Sequence, residues 1–214
     1  MQLHPPASPD LIGVVADSHG NLEATSAAIR LLEGRGATAV VHLGDFCDSV
    51  RHDTAAAMVA LLERHAVLAV KGNNDFLVEN LLAGSPGPAD ADRERTLAFL
   101  RATPLTRTLG GLRFAHSLPF DTLRAFYEPI DTGNTGRAAQ LFAEADFPLL
   151  FCGHSHLPVL FRKKGERVSR EPLPARERLV LKRGERYIVV VGAAADGECG
   201  LYDRAAGTYE RLRI

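Results

Sequence analysis

Short apolar stretches alternate with longer amphipathic stretches over the first part of the chain. Leu11–Ala16, Ala39–Leu43 and Ala66–Val70 are apolar and end at turn residues, which favours buried strands. Leu22–Glu33 and Ala55–His65 carry helix formers with apolar residues at helical spacing. Strand, loop and helix in repeated succession predict an α/β fold with parallel strands.

The middle of the chain is less regular but keeps the same kinds of pattern. We predict a loop, two helices, a hairpin around a Gly-Gly turn and one more buried strand. The loop is Gly84–Pro88, and the helices are Asp90–Arg101 and Asn134–Glu144. The hairpin pairs Thr106–Leu109 with Leu112–Ala115, and the buried strand is Leu149–Cys152.

The last part of the chain carries short apolar stretches separated by turns and no convincing helix. These stretches predict antiparallel strands that form a second sheet or an edge: Val159–Lys163, Leu179–Lys182, Tyr187–Val191, Gly200–Tyr202 and Thr208–Leu212. Lys163–Arg178 is charged and interrupted by proline, so we expect an exposed loop there. We read residues 1–214 as one domain in which 1–9 form a flexible tail.

Composition narrows the class of protein. Hydrophobic residues make up 46% of the chain, enough for a sizeable core. The net charge of -1 gives no strong signal for nucleic acid or an anionic membrane. The three cysteines are widely spaced, and the first ten residues lack the features of a secretory signal. We therefore expect a cytoplasmic globular protein with free thiols.

Metal-ligand residue types follow nearly every predicted strand in the first part of the chain and two later ones. They are Asp17, His19, Asp45, Asn73, His116, His154 and His156. Each motif alone is commonplace, but parallel strands bring their carboxyl ends to one crevice. Seven donors are too many for one tetrahedral ion and suit two ions that share a carboxylate. Nitrogen and oxygen donors without cysteine indicate two divalent ions, Mn²⁺ first, with Fe, Ni, Zn, Co or Mg as alternatives.

Taken together, these motifs resemble the calcineurin-like metallophosphoesterase superfamily, in particular its small bacterial and archaeal phosphodiesterase branch. The matching blocks, in order, are Asp17-Ser18-His19, Gly44-Asp45, Gly72-Asn73-Asn74-Asp75, His116 and Gly153-His154-Ser155-His156. The resemblance implies a four-layer α/β/β/α sandwich of two mixed sheets. It also implies that one ion is held by Asp17, His19, Asp45 and His156, and the other by Asp45, Asn73, His116 and His154, with Asp45 bridging.

The chemistry that such a site supports is phosphoester hydrolysis, with a hydroxide shared by the two ions as the nucleophile. Many members of the family carry a histidine after the ligand asparagine, where this chain has Asn74. Asn74 cannot transfer a proton, although its amide could donate a hydrogen bond to phosphate. We therefore expect phosphodiesters or activated phosphomonoesters of small nucleotide-like substrates. Asp75 is predicted to orient a loop or a ligand histidine; an ordinary turn residue is the alternative.

Two other functions stay open at this stage. One is a serine/threonine-type protein phosphatase, and the other is a non-catalytic protein-interaction scaffold on the same fold. A small phosphoester is the expected partner, with no membrane, and the sequence leaves the oligomeric state open. Substrate identity depends on Phe76–Pro88, Leu118–Arg137 and Lys163–Arg178, which carry the weakest patterns.

Several polar residues near these motifs have simpler explanations. Asn21 is predicted to cap the helix that follows it. His42 lies inside an apolar stretch and is predicted to be a core histidine. Asp48 is expected to be a surface carboxylate, and Arg124 and Arg137 to be surface cations. Phe120, Phe126 and Tyr127 either line a cleft that stacks a base or belong to the core.

Overall fold

The computed structural model describes residues 9–85 and 90–214, and its strands form two sheets. The strands are β1 Leu11–Val15, β2 Ala39–His42, β3 Leu68–Ala69, β4 Thr106–Leu109, β5 Leu112–Ala115, β6 Leu149–Cys152, β7 Val159–Lys164, β8 Arg167–Pro172, β9 Arg178–Val180, β10 Arg186–Val190, β11 Glu198–Asp203 and β12 Thr208–Arg213. The helices are α1 Leu22–Gly34, α2 Ala55–Arg64, α3 Asn73–Gly84, α4 Ala91–Ala102 and α5 Gly136–Glu144.

Both sheets are mixed, with parallel strands at the positions that matter for the site. The first sheet has the order β3-β2-β1-β11-β12-β9, in which β1, β2 and β3 run parallel. The second has the order β4-β5-β6-β10-β7-β8, in which β5, β6 and β10 run parallel. The loops that leave β1, β2, β3, β5 and β6 carry the predicted ligands.

Three buried apolar clusters separate four layers. Between the sheets, Val14 of β1 lies in one cluster with Phe151 of β6. On the outer face of the first sheet, Val15 packs in a cluster that includes residues of α1, α2, α3 and α4. On the outer face of the second sheet, Leu150 packs with Leu141 of α5. Adjacent strand residues point to opposite layers, as the pleat requires. The predicted α/β/β/α sandwich is confirmed.

The strands in the last part of the chain do not form a separate sheet. Of the strands that come after β6 in the chain, three extend the second sheet (β7, β8 and β10) and three extend the first (β9, β11 and β12). The prediction of an exposed loop over Lys163–Arg178 is wrong, because Arg167–Pro172 pairs with β7 along its whole length. β8 is an edge strand, and charged residues and a proline are common at sheet edges, where they discourage pairing with another chain.

The third predicted strand is shorter than expected, and the residues after it form a helix. Only Leu68–Ala69 pair with β2, and Asn73 begins α3. The predicted tail 1–9 and the loop Gly84–Pro88 fall largely outside the described residues. No helix in the described part of the chain is both long and apolar enough to cross a membrane.

Candidate metal centre

The seven predicted ligands lie at one end of the sandwich and come from both sheets. Asp17 and His19 follow β1, Asp45 follows β2, Asn73 is the first residue of α3, His116 follows β5, and His154 and His156 follow β6. The first four belong to the first sheet and the three later histidines to the second. The structure therefore brings all seven into one crevice.

Five of the seven predicted ligands have a left-handed backbone, which non-glycine residues seldom adopt. Their φ angles are 52° for Asp17, 44° for His19, 53° for Asp45, 71° for His154 and 59° for His156. Backbone hydrogen bonds between loops hold this conformation, as from the Asp17 amide to the Gly44 carbonyl at 3.1 Å. Such conformations persist only where the surroundings fix them, and they concentrate at functional sites.

On one side of the crevice, donors of both sheets meet around two histidine rings. The Nε2 atoms of His19 and His156 are 3.1 Å apart. Asp17 Oδ1 lies 3.8 Å from His156 Nε2, and Asp45 Oδ2 lies 4.0 Å from His19 Nε2.

On the other side, His116 is the centre of the arrangement. Its Nε2 atom lies 3.1 Å from Asn73 Oδ1, 3.0 Å from His154 Nδ1 and 3.6 Å from Asp45 Oδ2. Asp45 therefore borders both sides of the crevice, because the same oxygen also faces His19.

This donor set fits divalent metal ions. Nitrogen or oxygen ligands about 2.1 Å from one ion and at right angles to each other lie about 3.0 Å apart. The closest donor pairs here are separated by 3.0–3.1 Å. By ligand-atom distance, Asp17, His19 and His156 could hold one ion, and Asp17, Asp45 and His116 could hold one. Asp17 is common to both groups, whereas the division implied by the family resemblance gave the shared position to Asp45.

The proton on His116 is fixed by the backbone. Its Nδ1 atom lies 2.9 Å from the Leu43 carbonyl oxygen, which can only accept a hydrogen bond. Nδ1 therefore carries the proton of the neutral ring, and the Nε2 lone pair faces the crevice. Burial lowers the pKa of His116 and lowers the pKa of His154 to about 4, so both rings are neutral at pH 7.

Asp17 is fully buried and bonded to the loop of the second sheet. Its carboxylate accepts a hydrogen bond of 2.9 Å from the His154 backbone amide. Burial, and then repulsion from the Asp45 carboxylate, raise the pKa of Asp17 well above its ordinary value. A bound cation would reverse this effect by stabilising the ionised form.

Asp75 ties the loops after β2 and β3 together. One carboxylate oxygen accepts 2.8 Å hydrogen bonds from the amides of Asp45 and Gly72, and the other accepts from the Cys47 amide at 2.9 Å. Burial and the Asp45 charge raise the pKa of Asp75, while the three N–H donors oppose that rise. Asp75 lies behind the ligands and fixes the backbone that carries Asp45.

Asn74 is bonded at both ends of its amide. Its Nδ2 donates to Asp45 Oδ2 at 2.8 Å, and its Oδ1 accepts from the Ser49 hydroxyl at 2.9 Å. The Asn74 backbone amide also donates to Asp45 Oδ1 at 2.8 Å. The side chain that replaces the family's histidine is thus a clamp on Asp45.

A buried contact that the sequence did not reveal supports the Asp17–His19 loop. His42 is fully buried, and its Nε2 lies 2.7 Å from the hydroxyl of Ser18, between the two ligands. Thr25 of α1 donates to the same hydroxyl at 2.7 Å. His42 is a core histidine, as predicted, and it also holds the ligand loop; only its spacing of 24 residues from Ser18 hid the contact.

Other polar residues singled out in the sequence are engaged locally. Asn21 caps α1 through a bond from the Ala24 amide, as predicted. Asp48 accepts hydrogen bonds from the Val50 amide and from Arg51, whose guanidinium also donates to the His19 carbonyl.

Arg124 and Arg137 both pair with Glu128. The cysteines are free and buried, as expected.

Comparison with known proteins supports one family. A model described as a calcineurin-like phosphoesterase superfamily domain matches residues 11–185, a range that includes all five motifs. No curated protein sequence matches the chain.

The solved structures that resemble the chain share its fold. A metallophosphoesterase from Sphaerobacter thermophilus superposes with a TM-score of 0.72 at 23% identity, covering 95% of this chain and 87% of that one. The protein TT1561 of Thermus thermophilus gives 0.55 at 16% identity, with 96% and 99% covered. A structure described as a novel archaeal phosphodiesterase gives 0.53 at 12% identity, with 95% and 99% covered.

Proposed function

The chain belongs to the calcineurin-like phosphoesterase superfamily and is a metal-dependent phosphoester hydrolase, and on that premise we propose that it cleaves phosphodiesters and activated phosphomonoesters of small nucleotide-like substrates. The proposal includes two divalent ions, with Mn²⁺ as the first candidate.

One observation carries the proposal: seven donors from both sheets converge on a crevice in which Asp45 Oδ2 faces histidines on both sides. Divalent ions bound there would polarise a phosphate group and acidify a water ligand. The side chains that line the crevice also control its charge. Asn73 and the neutral imidazoles add no negative charge, so the crevice repels an anionic substrate less than an all-carboxylate site would.

The position of Asn74 defines the leaving groups that we expect. Its amide is occupied by Asp45 and Ser49, and an amide has no proton to transfer at neutral pH. General acid catalysis typically contributes about 10²–10⁴-fold. Leaving groups that depart without a proton, such as aryl oxides or the oxygen of a strained cyclic phosphate, should therefore be favoured over unactivated alkyl oxides.

An aromatic cluster beside His154 supports a substrate with a flat ring. The backbone of Tyr127 lies close enough to the His154 ring to oppose the lowering of its pKa, so this segment borders the crevice. Phe126 is buried between Phe76 of α3 and the ring of Tyr127, with centroid distances of 5.7 and 4.8 Å. Tyr127 is 46% exposed. Its ring thus offers a fixed surface for a base or an aryl group.

The test is a panel of bis-aryl and mono-aryl phosphates and of 2′,3′- and 3′,5′-cyclic nucleotides, each with Mn²⁺, Ni²⁺, Mg²⁺ or Zn²⁺. We expect hydrolysis of diesters that Asp45→Ala abolishes and that Asp92→Asn, an exposed carboxylate on α4, leaves unchanged. Protein that binds metal but hydrolyses nothing in the panel would favour the scaffold function instead.

The aromatic surface has its own variants. We expect Tyr127→Ala to raise KM for aryl and nucleotide substrates about tenfold, since stacking on an aromatic side chain is typically worth about 1–3 kcal/mol. Leu123→Ala, at an exposed position of the 3-10 turn Leu123–Phe126 that directly precedes Tyr127, is the matched control. Equal KM values in the two variants would remove the argument for a flat ring.

A further inference from the structure

A carboxylate outside the predicted ligand set lies behind one of the ligand histidines. His156 turns its Nε2 atom toward the crevice, where it meets His19 and Asp17. The other ring nitrogen, Nδ1, lies 3.9 Å from Oδ2 of Asp196. Asp196 belongs to the connection between β10 and β11, beyond the residues that the family model matches.

That connection is fixed to the loop that carries Asp17. The Ala194 amide donates to the Ala16 carbonyl at 2.7 Å, and the Ala195 amide donates to the Asp17 carbonyl at 3.2 Å. The connection forms a 3-10 turn over Ala194–Asp196 and ends at Gly197, whose φ of 77° reverses the chain. The backbone of Asp196 is therefore held relative to a ligand residue.

We propose that Asp196 is a positioning residue for the metal centre: it accepts the Nδ1 proton of His156 and so directs the unprotonated Nε2 toward the ion. The inference rests on the proposed metal centre. Histidines that bind metals generally donate their second N–H to a carboxylate, a carbonyl or water, which fixes the tautomer and the orientation of the ring. Packing alone does little to hold the ring of His156, because 37% of its side chain is exposed, against 25% for His19 and none for His116.

The separation of 3.9 Å is longer than a direct hydrogen bond. The Asp196 side chain is 63% exposed, so a rotation of its carboxylate or one bridging water closes this gap without moving the backbone. Because the Asp196 side chain is exposed, replacing it removes little packing from the folded protein.

The test measures binding of Mn²⁺ alone by calorimetry, together with the melting temperature of the protein in EDTA. We expect Asp196→Asn and Asp196→Ala to weaken Mn²⁺ binding about 10–100-fold, the usual effect of losing such a partner. Asp196→Glu should recover part of the affinity, because it restores a carboxylate. In EDTA, all variants should melt with the wild type, which separates positioning of the ligand from a role in folding.

The matched control is Asp92→Asn, which removes the same charge from the exposed start of α4. Mn²⁺ affinities of Asp196→Asn and Asp196→Ala that stay within threefold of Asp92→Asn would overturn the inference, while diester hydrolysis by the same wild-type protein would leave the proposed function standing. Wild-type protein that binds none of Mn²⁺, Ni²⁺, Mg²⁺ and Zn²⁺ would overturn both.

Discussion

At Asn74, the side chain next to one predicted ligand is hydrogen-bonded to another, Asp45. Its amide joins the Asp45 carboxylate to the Ser49 hydroxyl. The sequence indicated the loss of a proton donor at this position, but it could not reveal the clamp, because Ser49 lies 25 residues away. The chemistry of a single residue could be predicted from the sequence, whereas its hydrogen-bond partners are known only from the folded structure.

Replacing Asn74 by a proton donor should change the choice of leaving group. We expect Asn74→His to raise the rate with alkyl phosphomonoesters relative to aryl phosphates, by about tenfold or more, since a general acid assists poor leaving groups most. Rates measured across phenyl and alkyl leaving groups of graded pKa would show a shallower dependence in the variant. Asn74→Ala, which removes the clamp without adding an acid, is the control; a dependence as steep as that of Asn74→Ala would contradict the expectation.

His42 should make the stability of the protein depend on pH. Burial lowers its pKa from an ordinary value of 6.5 to about 3. Between these values the unfolded chain binds a proton that the folded chain does not, so the free energy of unfolding falls as the pH is lowered. The slope for one proton is about 1.4 kcal/mol per pH unit.

This expectation is checked by urea unfolding in EDTA at pH 6.5 and pH 4.5. Wild-type protein should lose about 2 kcal/mol more than His42→Gln over this interval. Gln cannot titrate but can still donate to the Ser18 hydroxyl. Equal losses in both proteins would show that His42 is not a source of the pH dependence.

At the scale of elements, the sequence predicted most strands and helices and failed at two informative places. α3 was missed because Gly72, Asn73 and Asn74 have the composition of a turn. The helix can begin there because Asp75, in its first turn, accepts a hydrogen bond from the Gly72 amide. β8 was missed because its exposed edge position allows charged residues that a central strand would exclude.

The start of α3 depends on a residue without a side chain. A Cβ atom on Gly72 would lie 2.2 Å from Asp45 Oδ1 and 2.4 Å from the Asp45 amide nitrogen. Both atoms belong to a buried loop and cannot move aside easily. We therefore expect Gly72→Ala to displace Asp45, to weaken Mn²⁺ binding at least tenfold and to reduce diester hydrolysis.

Gly84→Ala is the matched control, because it lies at the other end of the same helix and a Cβ there would meet nothing within 4 Å. That variant should bind metal and turn over as the wild type does. If Gly72→Ala binds Mn²⁺ as tightly as Gly84→Ala, the approach of the two loops is less restrictive than the structure indicates.

For the whole molecule, the proposed metal centre would join the two sheets. Asp17, His19, Asp45 and Asn73 come from one sheet, and the three later histidines come from the other. The sequence predicted that these residues meet, since strand ends converge in such folds. The sequence could not predict that the strands in the last part of the chain would be divided between the two sheets. Their apolar patterns are alike, and only long-range pairing distinguishes them.

Because the ions would bridge the sheets, we expect metal binding to stabilise the whole fold. A ligand at 100 times its Kd adds about 2.7 kcal/mol to the free energy of unfolding, which corresponds to a rise in Tm of about 5–10 °C for a chain of this size. Thermal unfolding with Mn²⁺ and with EDTA measures the difference. Asp45→Ala should show no rise, and a rise as large as that of the wild type would place metal binding outside the crevice.

The aromatic residues between the sheets acquire a second role from this arrangement. Phe151 stacks on Phe114 with ring centroids 5.5 Å apart and also contacts the ring of Tyr209. Phe151 belongs to the second sheet and Tyr209 to the first, so the size of their rings contributes to the spacing between the two halves of the predicted ligand set. Selection for hydrolysis would therefore act on these core residues during evolution. Substitutions that change their size would first alter which metal ion the protein prefers.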